Sequence, residues 1–234
     1  MDFVIGDLHG EKTKLNSLIK LIIKKEAKPS LIFIGDYIDK GEQSRKLLDY
    51  LIKLKDEFAT TFLMGNHEFY WLNLKENKNL ILKYGGLKTL NDFCSKSIEA
   101  CGELMISKYS DIFNNLKSYY ETDKFIISHS GLPASITKNW NVEKLNHSSF
   151  LFNRYEFIRS KSYFKKNKKI IFGHTAFFTP YVDNYKIGID TGACYSKEQP
   201  LTSFCLETQE FYNSNGEIYN INKIKKDRCP VIIR

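Results

Sequence analysis

Polar residues end five short apolar segments of this chain in a repeated pattern. The five polar ends are Gly6–Gly10, Gly35–Gly41, Gly65–Glu68, Ser128–Gly131 and Gly173–Thr175. Short apolar runs bounded by such turn residues are typical of buried strands, and open α/β sheets bind ligands at the carboxyl ends of their strands. Four of the five histidines lie at these ends. The pattern therefore predicts a buried sheet with a functional edge.

The segments between these predicted strands have the spacing of amphipathic helices. Apolar residues recur at helical spacing from Leu15 to Ile23, and a second helix is predicted from Ser44 to about Phe58. Residues 69–121 are mostly helical in pattern, and strands return from Lys124 onward. Continuous apolar strands joined by helices indicate a sheet covered by helices, so the predicted fold class is α/β.

The chain is predicted to form one domain over residues 1–234, because it has no low-complexity linker and no repeat of fixed period. Residues 69–121 are predicted to be a helical insertion in this domain. Leu201–Leu206 and the segment around Asn215-Gly216 are predicted antiparallel strands, the latter with a type I′ turn. The tail, residues 213–234, is expected to add an edge strand and is assigned no role.

The composition excludes several classes of protein. With 42% hydrophobic residues among 234, the chain can bury a core, and no apolar run approaches the roughly 20 residues of a membrane-spanning helix. The first residues do not resemble a secretory signal, and five cysteines without a C-x-x-C pair favour a reducing compartment. We expect a cytoplasmic protein with no membrane partner. The net charge of +8 does not by itself indicate a nucleic-acid partner, because the lysine excess accompanies other residues with A/T-rich codons.

The residue types at the strand ends suit a divalent metal site. Carboxylate, imidazole and amide-oxygen ligands favour borderline metals such as Mn, Fe or Zn over a thiolate site. Such ligands can hold two metals about 3.5–4 Å apart with one aspartate bridging them. The metal pair stabilises the attacking and leaving oxygens of a displacement at phosphorus, and it lowers the pKa of a bound water. Glycine beside each ligand lets backbone and phosphate approach closely.

The motifs resemble those of a known family. The patterns G-D-x-H-G, G-D-x-x-D-R-G, G-N-H-E, H-x-G and G-H-T occur in this order in the phosphoprotein phosphatase branch, which includes the bacterial-type serine/threonine phosphatases, of the calcineurin-like metallophosphoesterases. The resemblance runs from Phe3 to about Phe211 and includes Gly85–Leu90 and Asp190–Ala193. It implies the metallo-dependent phosphatase fold, a four-layer α/β/β/α sandwich in which helices flank two mixed β-sheets.

The resemblance also implies two divalent metal ions and a general acid. The implied ligands are Asp7, His9 and Asp36 for the first metal and Asp36, Asn66, His129 and His174 for the second. Asp36 would bridge the two metals. His67 would protonate the leaving oxygen, with Asp39 orienting its ring, since an alkoxide needs a proton that an imidazole can supply near neutral pH. Mn is the favoured metal, with Fe, Zn or Ni as alternatives.

Arg154, Lys40 and Asn66 are the phosphate-binding residues that the resemblance implies. Position 40 departs from the family, because most members have arginine there. Lysine keeps the charge but lacks the bidentate fork that fits phosphate oxygens, so we expect activity with weaker ground-state binding or altered substrate preference. Tyr195 follows Asp190–Ala193 and is a candidate for contact with substrate in the cleft, with core packing as the alternative.

The implied activity is metal-dependent hydrolysis of phosphoserine or phosphothreonine in proteins by a metal-bridging hydroxide. The alternative is a phosphatase or pyrophosphohydrolase acting on a small metabolite or a dinucleoside polyphosphate. Related diadenosine tetraphosphate hydrolases usually have glutamine where this chain has His9, which favours the protein substrate, whereas the short chain leaves little surface for docking one. A third alternative, a basic nucleic-acid-binding protein with a vestigial metal site, is disfavoured because no nucleic-acid-binding motif is visible and every implied ligand is present.

Overall fold

The computed structural model describes residues 1–133, 145–160 and 168–224. The strands in these ranges are β1 (Asp2–Ile5), β2 (Ser30–Phe33), β3 (Ala59–Phe62), β4 (Tyr119–Glu121), β5 (Phe125–Ser128), β6 (Lys169–Phe172), β7 (Tyr181–Val182), β8 (Lys186–Gly188), β9 (Thr202–Cys205), β10 (Glu210–Asn213) and β11 (Ile218–Asn220). The α-helices are α1 (Lys12–Lys25), α2 (Ser44–Glu57), α3 (Asn66–Leu72), α4 (Leu74–Lys83), α5 (Gly86–Asp92), α6 (Ile98–Lys108), α7 (Ser110–Phe113) and α8 (Tyr155–Arg159). Short 3-10 helices cover His147–Phe150 and Ile221–Lys223. Every helix in these ranges is too short or too polar to cross a membrane.

The strands form two mixed sheets. The first has the order β11-β10-β9-β1-β2-β3, in which β1, β2 and β3 are parallel and β9, β10 and β11 are antiparallel to their neighbours. Leu31 on β2 lies between Phe3 on β1 and Thr60 on β3. The second sheet has the order β4-β5-β6-β8-β7, with three parallel central strands and antiparallel edges. The prediction of two mixed sheets is confirmed.

Alternate residues of the central strands pack on opposite faces of each sheet. On β1, Val4 joins a core that contains residues of both sheets, whereas Phe3 and Ile5 join the core formed with α1 and α2. On β5, Ile127 belongs to the core between the sheets, and Ile126 belongs to a third core that includes α8. Because both faces are covered, successive residues of these strands are apolar. The predicted α/β/β/α sandwich is confirmed.

The region predicted as a helical insertion contains α3 to α7, but its helices end at Phe113. Tyr119–Glu121 form β4, in which Tyr119 pairs with Ser128 and Glu121 with Ile126. The last three residues of the segment predicted as mostly helical, about 69–121, are therefore a strand. Adjacent tyrosines favour strands, and these two pair with the free side of β5 instead of continuing a helix.

The predicted C-terminal edge strand is confirmed in part. Tyr212 on β10 pairs with Ile218 on β11, and β11 is the outermost strand of the first sheet. Gly216 in the connecting turn has φ +91°, a left-handed conformation that glycine adopts without strain. Residues 225–234, the remainder of the predicted tail, lie outside the described ranges.

Candidate active site

The loops that follow β1, β2 and β3 contact one another at the carboxyl edge of the first sheet. The backbone N–H of His9 donates a hydrogen bond to the carbonyl oxygen of Asp36 at 2.7 Å. A Cβ atom at Gly65 would lie 2.2 Å from Asp36 Oδ1. Glycine is therefore required at position 65, because any side chain there would displace the Asp36 carboxylate.

The loops that follow β5 and β6 reach the same place from the second sheet. His129 Nδ1 donates to the carbonyl oxygen of Ile34 at 3.1 Å, and the backbone N–H of His174 donates to Asp7 Oδ2 at 3.0 Å. A Cβ atom at Gly173 would lie 2.1 Å from Asp7 Oδ1. The structure thus brings all five predicted strand ends together between the two sheets.

Several residues of these loops have positive φ angles although they are not glycine. These residues are His9 (φ 39°), Asp36 (φ 53°), Asp39 (φ 69°), Lys40 (φ 60°) and His174 (φ 64°). Such conformations cost about 1–3 kcal/mol each and are retained where the surrounding contacts fix them, commonly at functional sites. The backbone strain is therefore concentrated at residues whose side chains the sequence indicated as functional.

Asp36 lies between two compact groups of buried candidate metal ligands. The groups are His9, Asp36 and His67 on one side and Asp36, His129 and His174 on the other, with the donor atoms of each group within 4.8 Å of one another. Asp36 Oδ2 lies 3.3 Å from His9 Nε2, and Asp36 Oδ1 lies 3.4 Å from His129 Nε2. Asn66 Oδ1 lies 3.0 Å from His129 Nε2. One carboxylate oxygen therefore faces each group.

Hydrogen bonds to the backbone orient the ring nitrogens of two histidines. His9 Nδ1 donates to the carbonyl oxygen of Ile38 at 2.9 Å, as His129 Nδ1 does to Ile34. Burial lowers the pKa of both rings, that of His9 to about 4, so both are neutral at pH 7 and their Nε2 lone pairs point toward Asp36. Lone pairs that converge on a carboxylate repel unless a cation lies between them. This donor set fits divalent metals.

Asp7 was predicted as a ligand of the first metal, but its carboxylate is not in the compact group with His9. His67 takes that place among the clustered donor atoms. Asp7 accepts hydrogen bonds from the backbone N–H of His174 at 3.0 and 3.3 Å. Burial and the negative charges of Asp190 and Asp36 raise the pKa of Asp7 well above its usual range. These buried carboxyl groups repel one another, and a bound cation would relieve the repulsion.

The ammonium group of Lys40 lies beside His9 instead of standing free in the cavity. Lys40 Nζ is 2.8 Å from His9 Nε2, 3.4 Å from the Tyr195 hydroxyl and 5.4 Å from the centre of the Tyr195 ring. Burial opposes its charge, but Tyr195 and Asp36 raise the pKa of Lys40. The single lone pair of His9 Nε2 cannot accept this hydrogen bond and bind a metal together. The Lys40 ammonium therefore occupies the place next to His9 Nε2 that a metal ion would take. It would have to move before His9 could bind a metal.

His67 and Asp39 form a buried pair. His67 Nδ1 donates to Asp39 Oδ2 at 2.7 Å, and Asp39 also accepts from Trp71 Nε1 at 3.1 Å and from the Thr89 hydroxyl at 2.7 Å. His67 Nε2 faces Asp36 Oδ2 at 3.8 Å. Burial opposes a charge on the ring, but Asp36 and the hydrogen bond to Asp39 raise the pKa of His67. The imidazole is thus fixed by one nitrogen while the other faces the donor cluster.

Glu68 has a structural role at this site that the sequence did not reveal. Its carboxylate accepts the backbone N–H groups of Asp36 and Tyr37, both at 2.8 Å, and of Gly65 at 3.1 Å. Burial raises the pKa of Glu68 to about 8. The only sequence signal was its position at the end of the Gly65–Glu68 motif. Glu68 fixes the loop that presents Asp36 relative to the start of α3.

A cavity of about 260 Å³ adjoins the donor cluster. Its lining residues are Asp36, Lys40, Asn66, His67, Tyr70, Tyr84, Phe152, Arg154, His174 and Tyr195. Arg154 is exposed and donates from Nη1 to the carbonyl oxygen of His174 at 3.2 Å. Tyr195 is 48% exposed, so it lies in the cavity wall and not in the core. The structure therefore places Arg154, Lys40, Asn66 and Tyr195 around one cavity.

Three other aromatic residues of this cavity, besides Tyr195, were not predicted from the sequence. Tyr70, Tyr84 and Phe152 come from three separate segments, and only the packing of these segments places them side by side. For Tyr70 a signal existed, because it follows His67 by three residues on α3 and therefore lies on the same face of that helix.

Comparisons with known proteins show the family of this chain. The family model for calcineurin-like phosphoesterases matches residues 3–226. Serine/threonine-protein phosphatase 2 of Escherichia coli K12 is 30% identical over 205 residues, covering 82% of this chain and 87% of that protein. The asymmetrical bis(5′-nucleosyl)-tetraphosphatase PrpE of Oceanobacillus iheyensis is 22% identical over 231 residues, covering 89% of each chain.

The fold is also found among solved structures. A cold-active protein-tyrosine phosphatase of a psychrophilic Shewanella species superposes with a TM-score of 0.64 at 14% identity, covering 93% of this chain and 79% of that one. At this identity the likeness concerns the fold alone. The family model extends over nearly the whole chain, and the chain therefore belongs to the calcineurin-like phosphoesterase family, whose members are metal-dependent hydrolases.

Proposed function

We propose that this chain is a dinuclear metal-dependent phosphomonoesterase. The observation that supports this most directly is the position of Asp36, whose two carboxylate oxygens face two groups of buried histidines. Two divalent ions, Mn²⁺ in the first instance, would supply Lewis-acid stabilisation of phosphoryl oxygens and activate water. The site draws residues from both sheets, so we also propose that the chain acts as one domain.

The proposed ligands combine the clustered donor atoms with Asp7 and Asn66, which the resemblance to the family implies. Their assignment is Asp7, His9 and Asp36 to one metal and Asp36, Asn66, His129 and His174 to the other. Backbone carbonyl groups fix the tautomers of His9 and His129, so each ring presents an unprotonated Nε2. A metal held by His9 would compete with the Lys40 ammonium for His9 Nε2, and Lys40, which also lines the cavity, would then be available to a phosphate oxygen.

His67 is the proposed general acid. Its Nδ1–H is held by Asp39, and its Nε2 faces the reaction centre next to Asp36. A protonated Nε2 can donate to the leaving ester oxygen, which as an alkoxide would be a poor leaving group. Asp39 stabilises the protonated ring, and Trp71 and Thr89 fix the Asp39 carboxylate.

Arg154, Lys40 and Asn66 are the proposed phosphate-binding residues. The guanidinium of Arg154 offers paired donors to two phosphate oxygens, whereas Lys40 acts as a point charge. Arg154 is anchored by one hydrogen bond to the carbonyl oxygen of His174 and retains N–H groups for a ligand. The amide of Asn66 lies in the same cavity.

Phosphoserine and phosphothreonine of proteins are the first candidate substrates. The support is the similarity to serine/threonine-protein phosphatase 2, together with a buried acid suited to alkyl esters. The second candidate class is a small phosphorylated metabolite or a dinucleoside polyphosphate. It is supported by the full-length similarity to a bis(5′-nucleosyl)-tetraphosphatase and by the small volume of the cavity.

Side-by-side measurements of kcat/KM with Mn²⁺ test both candidates. The substrates are a phosphothreonine peptide, diadenosine tetraphosphate, and a panel of sugar and nucleotide monophosphates. Preference for the peptide supports the first candidate, and preference for one small molecule supports the second. Absence of turnover with any of them, across Mn²⁺, Fe²⁺, Zn²⁺ and Ni²⁺, would refute the proposed phosphatase activity.

A further inference from the structure

Three aromatic side chains that line the cavity are in contact through the ring of Tyr70 and are here called the aromatic wall: Tyr70, Tyr84 and Phe152. The ring of Tyr70 stacks on that of Tyr84, with centroids 6.0 Å apart and planes at 13°. It stacks equally on Phe152, at 5.9 Å and 26°. Tyr70 is thus the centre of the wall and holds the other two rings in one row.

The outer rings of the wall are accessible. Tyr84 is 38% exposed and Phe152 is 43% exposed, whereas Tyr70 is 8% exposed. Packing in the protein therefore explains why an aromatic ring is present at Tyr70. At Tyr84 and Phe152, large parts of the side chains are not covered by the described residues. Aromatic faces beside a polar site bind planar rings by stacking, and every nucleobase has such a face.

The wall lies on the side of the general acid. The ring centroids of Tyr70 and Tyr84 are 6.2 and 6.5 Å from that of His67. If His67 protonates the leaving oxygen, the alcohol that carries this oxygen departs past these rings. The wall therefore contacts the leaving group, whereas Arg154 and Lys40 line the part of the cavity that receives the phosphate.

We propose that the aromatic wall is a binding subsite for a planar base on the leaving alcohol and that the substrate class is a nucleoside monophosphate. This rests on the proposed function, because it takes His67 as the acid. In the reaction, water forms a new P–O bond and the ester P–O bond breaks with its electron pair on the ribose oxygen. The proton of His67 Nε2 goes to that oxygen, and the attacking water releases one proton to solvent, from which His67 is protonated again. A sugar phosphate undergoes the same step but has no ring for the wall.

A matched pair of esters tests the subsite. Adenosine 5′-monophosphate and ribose 5-phosphate share the reacting group and differ in the base. We expect wild-type kcat/KM to be about fivefold to 150-fold higher for the nucleotide, the range that one base–aromatic stack provides. Tyr84→Leu and Phe152→Leu should each lower this ratio toward one, mainly through a higher KM for the nucleotide. Tyr84→Phe keeps the ring and should keep the ratio.

Tyr155→Leu is the matched control, because Tyr155 is 44% exposed and lies outside the residues that line this cavity. It should leave both rates unchanged. A wild-type ratio near one, or an unchanged ratio in Tyr84→Leu, would overturn the subsite while the phosphatase function stands. If Tyr84→Leu lowered kcat/KM for a phosphothreonine peptide as much as for the nucleotide, the conclusion that the wall selects a base would be overturned. Absence of turnover of both esters would overturn the proposed function and the subsite with it.

Discussion

Replacing Asp39 by asparagine removes one negative charge from the His67 pair with little change of shape. In the wild-type chain the Asp39 carboxylate accepts from His67 Nδ1, Trp71 Nε1 and the Thr89 hydroxyl. An asparagine oxygen can still accept from Trp71 and Thr89. Its amide group would then face His67 Nδ1 and favour the opposite tautomer, and the protonated ring would lose its counter-charge.

The size of the effect follows from the hydrogen bond that is lost. A hydrogen bond to a charged group contributes about 1.5–3 kcal/mol, which corresponds to about 10-fold to 150-fold in rate. We therefore expect kcat for an alkyl ester such as a phosphothreonine peptide to fall by about 10-fold to 150-fold. For p-nitrophenyl phosphate, whose leaving group needs little protonation, we expect a fall of less than about fivefold.

The pH dependence gives a second readout. The hydrogen bond to Asp39 helps to raise the pKa of His67 against the effect of burial. An acid must be protonated to act, so activity toward the alkyl ester falls as the pH rises through this pKa. In Asp39→Asn the pKa is lower, and the fall should begin at lower pH.

The assay compares kcat for both esters at matched Mn²⁺ concentration, with the metal content of each variant measured. Asp49→Asn is the control, because Asp49 accepts from Lys108 and Tyr109 outside the cavity, and the same chemical change there should leave kcat unchanged. Equal losses for the alkyl and aryl esters in Asp39→Asn, or no shift of the pH profile, would refute the reasoning.

Three further variants test other contacts. His67→Asn should slow alkyl phosphates at least about 10-fold more than aryl phosphates; equal slowing, seen in the same paired assay, argues against the acid role. Gly65→Ala should reduce bound metal, because its Cβ would lie 2.2 Å from Asp36 Oδ1; full metal content by mass spectrometry would contradict this. Glu68→Gln should lower the free energy of unfolding by about 1–3 kcal/mol, because the amide oxygen can keep the N–H groups of Asp36 and Gly65 while the N–H of Tyr37 loses its acceptor; an unchanged urea midpoint at equal m-value would exclude this role.

The central strands and the functional ends of these strands could be predicted from local patterns, whereas the arrangement in two sheets was implied by the resemblance to a family. Strands buried on two faces are apolar at every position, so β1, β2, β5 and β6 stand out as short apolar runs. Parallel strands of one sheet bring their carboxyl ends to one edge, which accounts for the proximity of His129 after β5 and His174 after β6. Asp36 follows β2 of the other sheet, so its contact with both histidines depends on how the two sheets pack.

Other features depend on contacts that no local pattern encodes. β4 is three residues long and forms because β5 offers an unpaired side, which the residues 119–121 do not reveal by themselves. The aromatic wall arises from the packing of α3, the end of α4 and the segment before α8. The contact of Lys40 with His9 depends on the positive φ of Lys40, a loop conformation that spacing alone does not predict.

Metal content measured by mass spectrometry in wild-type and Asp36→Asn protein tests the account most directly. One carboxylate facing both groups of histidines is the central claim. We expect two Mn²⁺ ions per wild-type chain, at most one in Asp36→Asn, and loss of turnover in the variant. Two retained ions with near-normal turnover in Asp36→Asn would contradict the bridging role of Asp36 and with it the proposed dinuclear centre.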